Sequence, residues 1–305
     1  MVPSHLVFVT PGTPPRNFSR QRTDKGNSDM KISLIQMNSQ NDKAANLQTA
    51  AKLIETAIRD EKPQLVVLPE YFAFLDDDRN AMHASAEIFP GGETWSFLSE
   101  TAARHGVTLH AGSIVEKDGE DFYNTSLVFG PDGKQIARYR KIHLFDVETP
   151  EGIVYRESDS IRRGEDVVTY KVGDITVGCG ICYDIRFPEL FQRLRDLGSE
   201  IIVLPAAFTL STGKDHWEIL ARARAIETQT YFVAVGQTGT HAGGRKACYG
   251  HSMVVNPWGH MIAQSPDLVT AITARIDLPY IKSVRQNLPV ANHCVMRSRP
   301  GAAQA

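Results

Sequence analysis

The chain has no apolar run approaching the roughly 18 residues that a bilayer-spanning helix needs, so nothing in it reads as a transmembrane segment. Its apolar stretch at residues 6–9 is shorter than the core of a secretory signal. Cysteine is scarce. Four residues without paired spacing are too few for a disulfide scaffold and point to the reducing cytosol. Neither sign of charge is in excess: 33 Lys plus Arg stand against 35 Asp plus Glu, a formal net charge of −2. That balance argues against nucleic acid as the main partner, because a phosphate-binding face needs surplus basic charge. No G-x-x-x-x-G-K-[ST] loop occurs, which leaves nucleoside triphosphate use without support.

What remains is a globular composition, 42% hydrophobic and 22% charged over 305 residues, enough to bury a large core. Residues 1–29 stand apart, with Pro3, Pro11, Pro14 and Pro15 followed by a polar stretch, and read as a loosely attached tail. Met30 opens a clean alternating pattern and is a candidate first residue. Residues 298–305 read as a second tail, leaving 30–297 as one domain.

Within that domain strand and helix patterns alternate. Residues 31–37 read as a strand and 44–59 as a helix, with Leu47, Ala51, Ile54 and Ile58 at helical spacing. A buried strand over 64–68 ends at Pro69, a helix covers 96–105, and a single strand covers 109–115. Strands over 123–129 and 135–139 flank Gly130-Pro131-Asp132-Gly133, which is hairpin turn chemistry. The same order then recurs as strand 174–181, helix 189–197, strand 200–204 closed by Pro205, helix 217–227 and strand 231–235. Strands over 249–255 and 261–264 flank a second turn, Asn256-Pro257-Trp258-Gly259.

The echo extends to the residues themselves. Leu65-Val66-Val67-Leu68-Pro69 matches Ile201-Ile202-Val203-Leu204-Pro205, and Ser126-Leu127-Val128-Phe129 matches Ser252-Met253-Val254-Val255. A half-chain repeat of this kind means duplicated sheets packed on one another. The expected fold is α/β, with two mixed sheets face to face and helices outside.

Three polar residues interrupt the apolar strand ends. Glu70 follows Pro69, Lys141 ends the run from Ile136, and Cys182 follows the strand 175–181. Ligands gather beyond the carboxyl ends of strands in α/β sheets. Singly, each residue has a plain structural reading as a solvated turn, a solvated edge or a core thiol. Together they fit attack on an amide carbon. Sulfur must lose its proton to a base, the oxyanion needs a cation or N–H donors, and one carboxyl can shuttle the proton. Cys182 would supply the sulfur and Glu70 the shuttle, with Lys141 and the Tyr183 N–H holding the oxyanion. A sharp turn would expose the sulfur near a positive helix end.

These residues sit in Leu65-Val66-Val67-Leu68-Pro69-Glu70, Tyr139-Arg140-Lys141-Ile142-His143-Leu144 and Gly180-Ile181-Cys182-Tyr183-Asp184-Ile185-Arg186-Phe187-Pro188-Glu189. The three ordered segments resemble the signatures of the carbon–nitrogen hydrolase (nitrilase) superfamily. The resemblance covers nearly the whole chain from Met30 to about Arg297 and implies a four-layer α-β-β-α sandwich that dimerises. It also implies a Glu70–Lys141–Cys182 triad, with Glu157 bonding Lys141 in support, and no cofactor or metal. His216-Trp217-Glu218, Ala207-Phe208-Thr209-Leu210-Ser211-Thr212-Gly213 and the segment from Gly250 to Gly259 are similar to the Nit branch. That branch hydrolyses small amides such as 2-oxoglutaramate or deaminated glutathione. Tyr183-Asp184, where true nitrilases have Trp-Glu, favours amides over nitriles. Thr238 to Ala247 departs from the animal ω-amidase pattern. Tyr183, Arg186, Phe208 and Thr209 are the candidate substrate contacts, and Tyr71 and Phe145 are further possible lining residues.

Other motifs compete less well. Cys179-Gly180-Ile181-Cys182 lacks the second ligand pair that zinc needs, and a dithiol would sit at a helix start; Cys179 reads as core. Gly178-Cys179-Gly180 has Tyr183 where a dinucleotide fingerprint needs its third glycine. His143 could serve a Cys–His acyl transferase or bond a backbone carbonyl, and Arg186 could bind a carboxylate or brace Asp184 or Glu189. A non-catalytic binding subunit is the reading from a different class.

Overall fold

The computed structural model describes residues 29–148, 152 and 154–295. Residues 1–28, and the whole second tail, lie outside the described residues. The first half runs β1 (Asp29–Gln36), α1 (Lys43–Glu61), β2 (Leu65–Val67), α2 (Arg79–Ala84), α3 (Glu93–His105), β3 (Thr108–His110), β4 (Ile114–Asp118), β5 (Asp121–Phe129) and β6 (Gln135–Arg140). Three strands follow: β7 (Asp146–Glu148), β8 (Val154–Arg156) and β9 (Thr169–Val172). The second half runs β10 (Ile175–Cys179), α4 (Pro188–Asp196), β11 (Ile201–Ala206), α5 (Leu210–Thr228), β12 (Tyr231–Gly236), β13 (Thr238–His241), β14 (Lys246–Tyr249), β15 (Met253–Val255) and β16 (Met261–Gln264). The strand β17 (Thr270–Asp277) and helices α6 (Leu278–Asn287) and α7 (Val290–His293) complete the described chain.

The two sheets repeat one another except for β4, which pairs with β5 in the first sheet and has no counterpart in the second. In the first, β1, β2 and β3 are parallel, β5 joins β3 antiparallel, and β6 pairs with β5. In the second, β10, β11 and β12 are parallel, β15 joins β12 antiparallel, and β16 follows. The edges are exchanged between halves. β17, at the end of the second half, pairs with β1, whereas β9, at the end of the first, pairs with β10. Neither sheet is complete without a strand from the other half, so the two halves are one folding unit.

Period-two alternation explains the layers. Along β1, Met30, Ile32 and Leu34 join a core shared with Val177 and Val203 of the second sheet, while Ile35 packs with Leu47, Ala50 and Ile54 of α1. On the far side, Ile202 and Leu204 share a core with Leu190 and Leu194 of α4 and Trp217 of α5. The result is helices, sheet, sheet, helices. Helix α1 starts where the Asp42 side chain accepts the Ala45 N–H at 3.0 Å, and it stops at Lys62, which takes the left-handed conformation (φ 53°).

Three sequence expectations need correction. The strand expected over 109–115 is two, β3 and β4, broken at Gly112. This glycine has φ +60°, and a Cβ there would meet the Pro69 carbonyl oxygen at 1.9 Å. The strand expected over 249–255 is likewise β14 and β15, broken at Gly250 (φ +73°). Pro205 lies inside β11 rather than closing it, because β10 ends opposite Val203 and the missing N–H faces no ladder partner.

Leu34 is fully buried between the sheets. Leu34→Ala is expected to lower unfolding free energy by about 2–5 kcal/mol, measured by urea denaturation; a loss under about 1 kcal/mol would contradict a tightly packed inter-sheet core.

Candidate active site

Glu70, Lys141 and Cys182 lie just past the carboxyl ends of β2, β6 and β10 and meet at one cavity of about 490 Å³. Each is almost completely buried. The Glu70 Oε1 accepts from Lys141 Nζ at 3.2 Å and from Asn124 Nδ2 at 2.9 Å, while Oε2 accepts the Ala207 N–H at 2.6 Å. The Cys182 thiol lines the same cavity, close enough to the Glu70 carboxylate for that charge to raise its pKa. Lys141 Nζ also donates to Glu157 at 2.8 and 3.1 Å. One ammonium thus sits between two carboxylates, and the first of those carboxylates shares its cavity with the sulfur.

Backbone geometry holds these groups in place. Cys182 has φ +45°, in the left-handed region that a non-glycine residue occupies only when its surroundings impose it. Asp184 imposes it. Its Oδ2 accepts the Ile181 N–H at 2.8 Å and the Tyr139 hydroxyl at 2.7 Å; its Oδ1 accepts the His143 N–H at 3.0 Å and faces His143 Nδ1 at 2.7 Å. One buried carboxylate therefore ties the turn at Cys182 to the strand carrying Lys141. Glu157 is anchored by the Phe145 N–H at 2.7 Å and the Tyr71 hydroxyl at 3.1 Å. Gly164 lets the chain pass directly over Arg140, where a Cβ would meet the carbonyl oxygen at 2.2 Å.

Comparison with known proteins agrees with this geometry. Residues 31–286 match the model of the carbon–nitrogen hydrolase family. The chain belongs to that family. It is 39% identical over 266 residues to a deaminated glutathione amidase of Synechocystis sp., covering 86% of this chain and 96% of that one. It is 40% identical over 269 residues to omega-amidase NIT2-B of Xenopus laevis, covering 85% and 93%. The crystal structure of Saccharomyces cerevisiae Nit3, a member of branch 10 of the nitrilase superfamily, superposes with a TM-score of 0.78 at 36% identity, covering 86% of this chain and 95% of that one. The family fold is therefore the four-layer arrangement described above, and the chain is a hydrolase of C–N bonds.

The electrostatics of this carbon–nitrogen hydrolase follow from burial. Desolvation alone would push the Lys141 ammonium down, but Glu157 and Glu70 outweigh it and hold its pKa well above the ordinary value. Burial and then Glu70 push the Cys182 thiol well up, with Lys141 pulling the other way. The resting sulfur is thus a neutral thiol beside a carboxyl that can take its proton. Burial also raises the Tyr71 phenol, which keeps it a hydrogen-bond donor to Glu157.

Tyr183, Phe208 and Thr209 line the cavity, as do Tyr71 and Phe145. Arg186 does not. Its guanidinium lies 5.4 Å from the Phe208 ring centroid and 5.9 Å from that of Tyr183 and faces His216 Nδ1 at 3.4 Å, while Asp184 is occupied elsewhere. His143 bonds Asp184 and stacks on Phe187 at 3.8 Å, rather than meeting a backbone carbonyl. The strand before Cys182 ends at Cys179, so the sulfur is aimed by a 3-10 turn over Cys182–Arg186. It faces the cavity yet is only 8% exposed, less open than a bare turn suggests. Among the described residues no group of three or more His, Cys, Asp or Glu could hold a metal ion.

Sequence reasoning missed Asn124, Asp184 as an organiser, and Lys246 and Cys248 on the cavity wall. Asn124 had a signal: an amide within an otherwise strand-favouring run is out of character and must bond something.

The pH profile of Cys182 alkylation by iodoacetamide tests these electrostatics. Glu70→Gln should move the midpoint to lower pH, because it removes the carboxyl that raises the thiol; Lys141→Met should move it higher. Shifts in the opposite sense, or none, would contradict the coupling.

Proposed function

We propose that this chain is an amidase acting on a small linear carboxylate-bearing amide, with 2-oxoglutaramate the leading substrate, and that it releases ammonia through a thioester on Cys182. The observation that carries this reading is the Glu70 carboxyl bonded to the Lys141 ammonium in the one cavity that the Cys182 thiol also lines. As sulfur attacks the amide carbon, its proton passes to Glu70 and the carbonyl oxygen becomes an oxyanion beside Lys141 and the Tyr183 N–H. Collapse breaks the C–N bond while Glu70 returns the proton to nitrogen, and ammonia leaves. Glu70 then takes a proton from water, whose oxygen attacks the thioester carbon. The C–S bond breaks and the sulfur is reprotonated. Glu157 keeps Lys141 in position.

Similarity to a deaminated glutathione amidase favours one alternative. That substrate and 2-oxoglutaramate share a 4-carboxy-4-oxobutanoyl group and differ in the leaving amine, so both suit the same acyl site. Product assays on the two compounds separate them: free ammonia from one, a cysteinylglycine amine from the other. Glu70→Gln is expected to lower turnover by about 100- to 10,000-fold, and Cys182→Ala to abolish it while circular dichroism stays native. Full activity in Glu70→Gln with loss in His143→Ala would reject the scheme in favour of a Cys–His pair. A folded wild-type protein without turnover on any amide would favour a binding subunit.

A reducing compartment such as the cytosol suits chemistry that depends on a free thiol; all four cysteines, Cys182 included, are unpaired. A homodimer is supported by the outer face of α5, where Ile219 (69% exposed) and Ile226 (48%) stand beside Trp258 (49%). Light scattering should give a dimer for the wild type and a monomer for Ile219→Lys; a monomeric wild type would remove the proposal.

A further inference from the structure

The floor of the cavity is a poor place for a second carboxylate. Glu70 and Glu157 already face a single ammonium there, and added negative charge in that low-dielectric corner would be repelled. A substrate with an acidic far end must therefore be held elsewhere on the wall. Besides Lys141, the described cations lining the cavity are Arg79, Arg156 and Lys246. Arg79 forms a solvent-exposed pair with Asp159, its side chain 51% accessible, and Arg156 is exposed, with its guanidinium on the Tyr155 carbonyl. Charges so placed are screened and contribute little. His241 also lines the wall, but burial pushes its pKa down, so it is not a standing cation. Lys246 differs. Its side chain is 26% exposed, its ammonium lies 4.6 Å from the Tyr155 ring centroid, and it is paired with Asp77.

The sheet positions Lys246 on the wall of the cavity that Cys182 lines. β14 is pinned beside the cavity, where Tyr249 N–H donates to the Phe208 carbonyl at 2.9 Å and Cys248 bridges to Thr209. Side chains two apart on a strand share a face about 6–7 Å apart, so Lys246 and Cys248 form one row on the cavity wall. Cys248 and Lys246 line the same cavity as Glu70 and Cys182. An extended five-carbon chain from amide carbon to far carboxyl carbon spans about 5 Å, short enough to lie within the one cavity that Cys182 and Lys246 both line. Asp77 holds the ammonium without consuming it. Its other oxygen faces Arg245 at 3.5 Å, and an ammonium has three N–H donors.

We propose that Lys246 is a specificity-determining residue that receives the far carboxylate of the substrate, with Asp77 and the Tyr155 ring fixing its ammonium at the wall. This rests on the amidase reading above and names the group that makes it selective. It also gives a role to the segment 238–247, which departs from the animal ω-amidase pattern.

The test compares glutaramate with pentanamide, which has the same chain length and no charge. For the wild type kcat/KM should favour glutaramate. Lys246→Met should lower the glutaramate-to-pentanamide ratio of kcat/KM by at least tenfold, chiefly through KM for glutaramate, and Lys246→Arg should restore most of it. A ratio that is unchanged in Lys246→Met, or that falls instead in Arg79→Met or Arg156→Met, would overturn the assignment while leaving the amidase reading intact. A folded wild-type protein that turns over neither compound, nor 2-oxoglutaramate, nor deaminated glutathione would overturn the amidase reading itself.

Discussion

The Lys141 ammonium, buried between the carboxylates of Glu70 and Glu157, is the interaction on which the site depends. Taking three charges out of water is costly, and breaking such an arrangement by deleting one partner typically costs about 3–5 kcal/mol because a buried charge is left uncompensated. The fold meets that cost with donors it already holds in place: the Asn124 amide, the Ala207 and Phe145 N–H groups and the Tyr71 hydroxyl. A third carboxylate, the buried Asp184, ties the end of β6, next to Lys141, to the turn carrying Cys182. Such groups do little for core stability. They set a geometry in which a neutral thiol, a proton acceptor and a cation share one point.

Duplication explains why that point exists. Leu68-Pro69-Glu70 and Leu204-Pro205-Ala206 occupy equivalent places at the ends of β2 and β11, and the N–H of Ala207 reaches across to the Glu70 carboxylate. The Gln237 amide, just past β12, donates to the Glu70 carbonyl at 3.0 Å. The halves therefore meet at their strand ends, and only one of the two equivalent ends bears an acid. Exchange of β9 and β17 locks this juxtaposition, since the halves cannot separate without opening both sheets.

Much of this was legible in the residues. The two buried strands before Pro69 and Pro205, the paired hairpin turns and the polar residues at strand ends are local patterns, and local patterns follow the period-two rule. The breaks at Gly112 and Gly250 were not legible, because the apolar text continues through them and the constraint comes from elsewhere in the chain: the Pro69 backbone carbonyl in one case, the Thr238 side-chain hydroxyl in the other. β9, β13 and β17 were hidden too. β9 and β13 pair with the next strand along, β10 and β14, and at four residues each are at the lower limit for a readable alternation. β17 pairs with β1, far away in sequence, so that pairing appears only in three dimensions. The second tier of the site shares that origin. Asp184 looked like a partner for Arg186, but its real partners, Tyr139 and His143, arrive from another strand. The Lys246 row depends on β14 being pinned to Phe208, which no spacing along the chain predicts.

The account stands or falls on covalent chemistry at one sulfur. Acid-quenching the wild-type enzyme during turnover of 2-oxoglutaramate, followed by intact-mass and peptide mass spectrometry, tests this directly. The account predicts a mass increase equal to the acyl group, carried by the peptide containing Cys182 and discharged when substrate runs out. Turnover without any adduct, or an adduct on Cys248 instead, would contradict it.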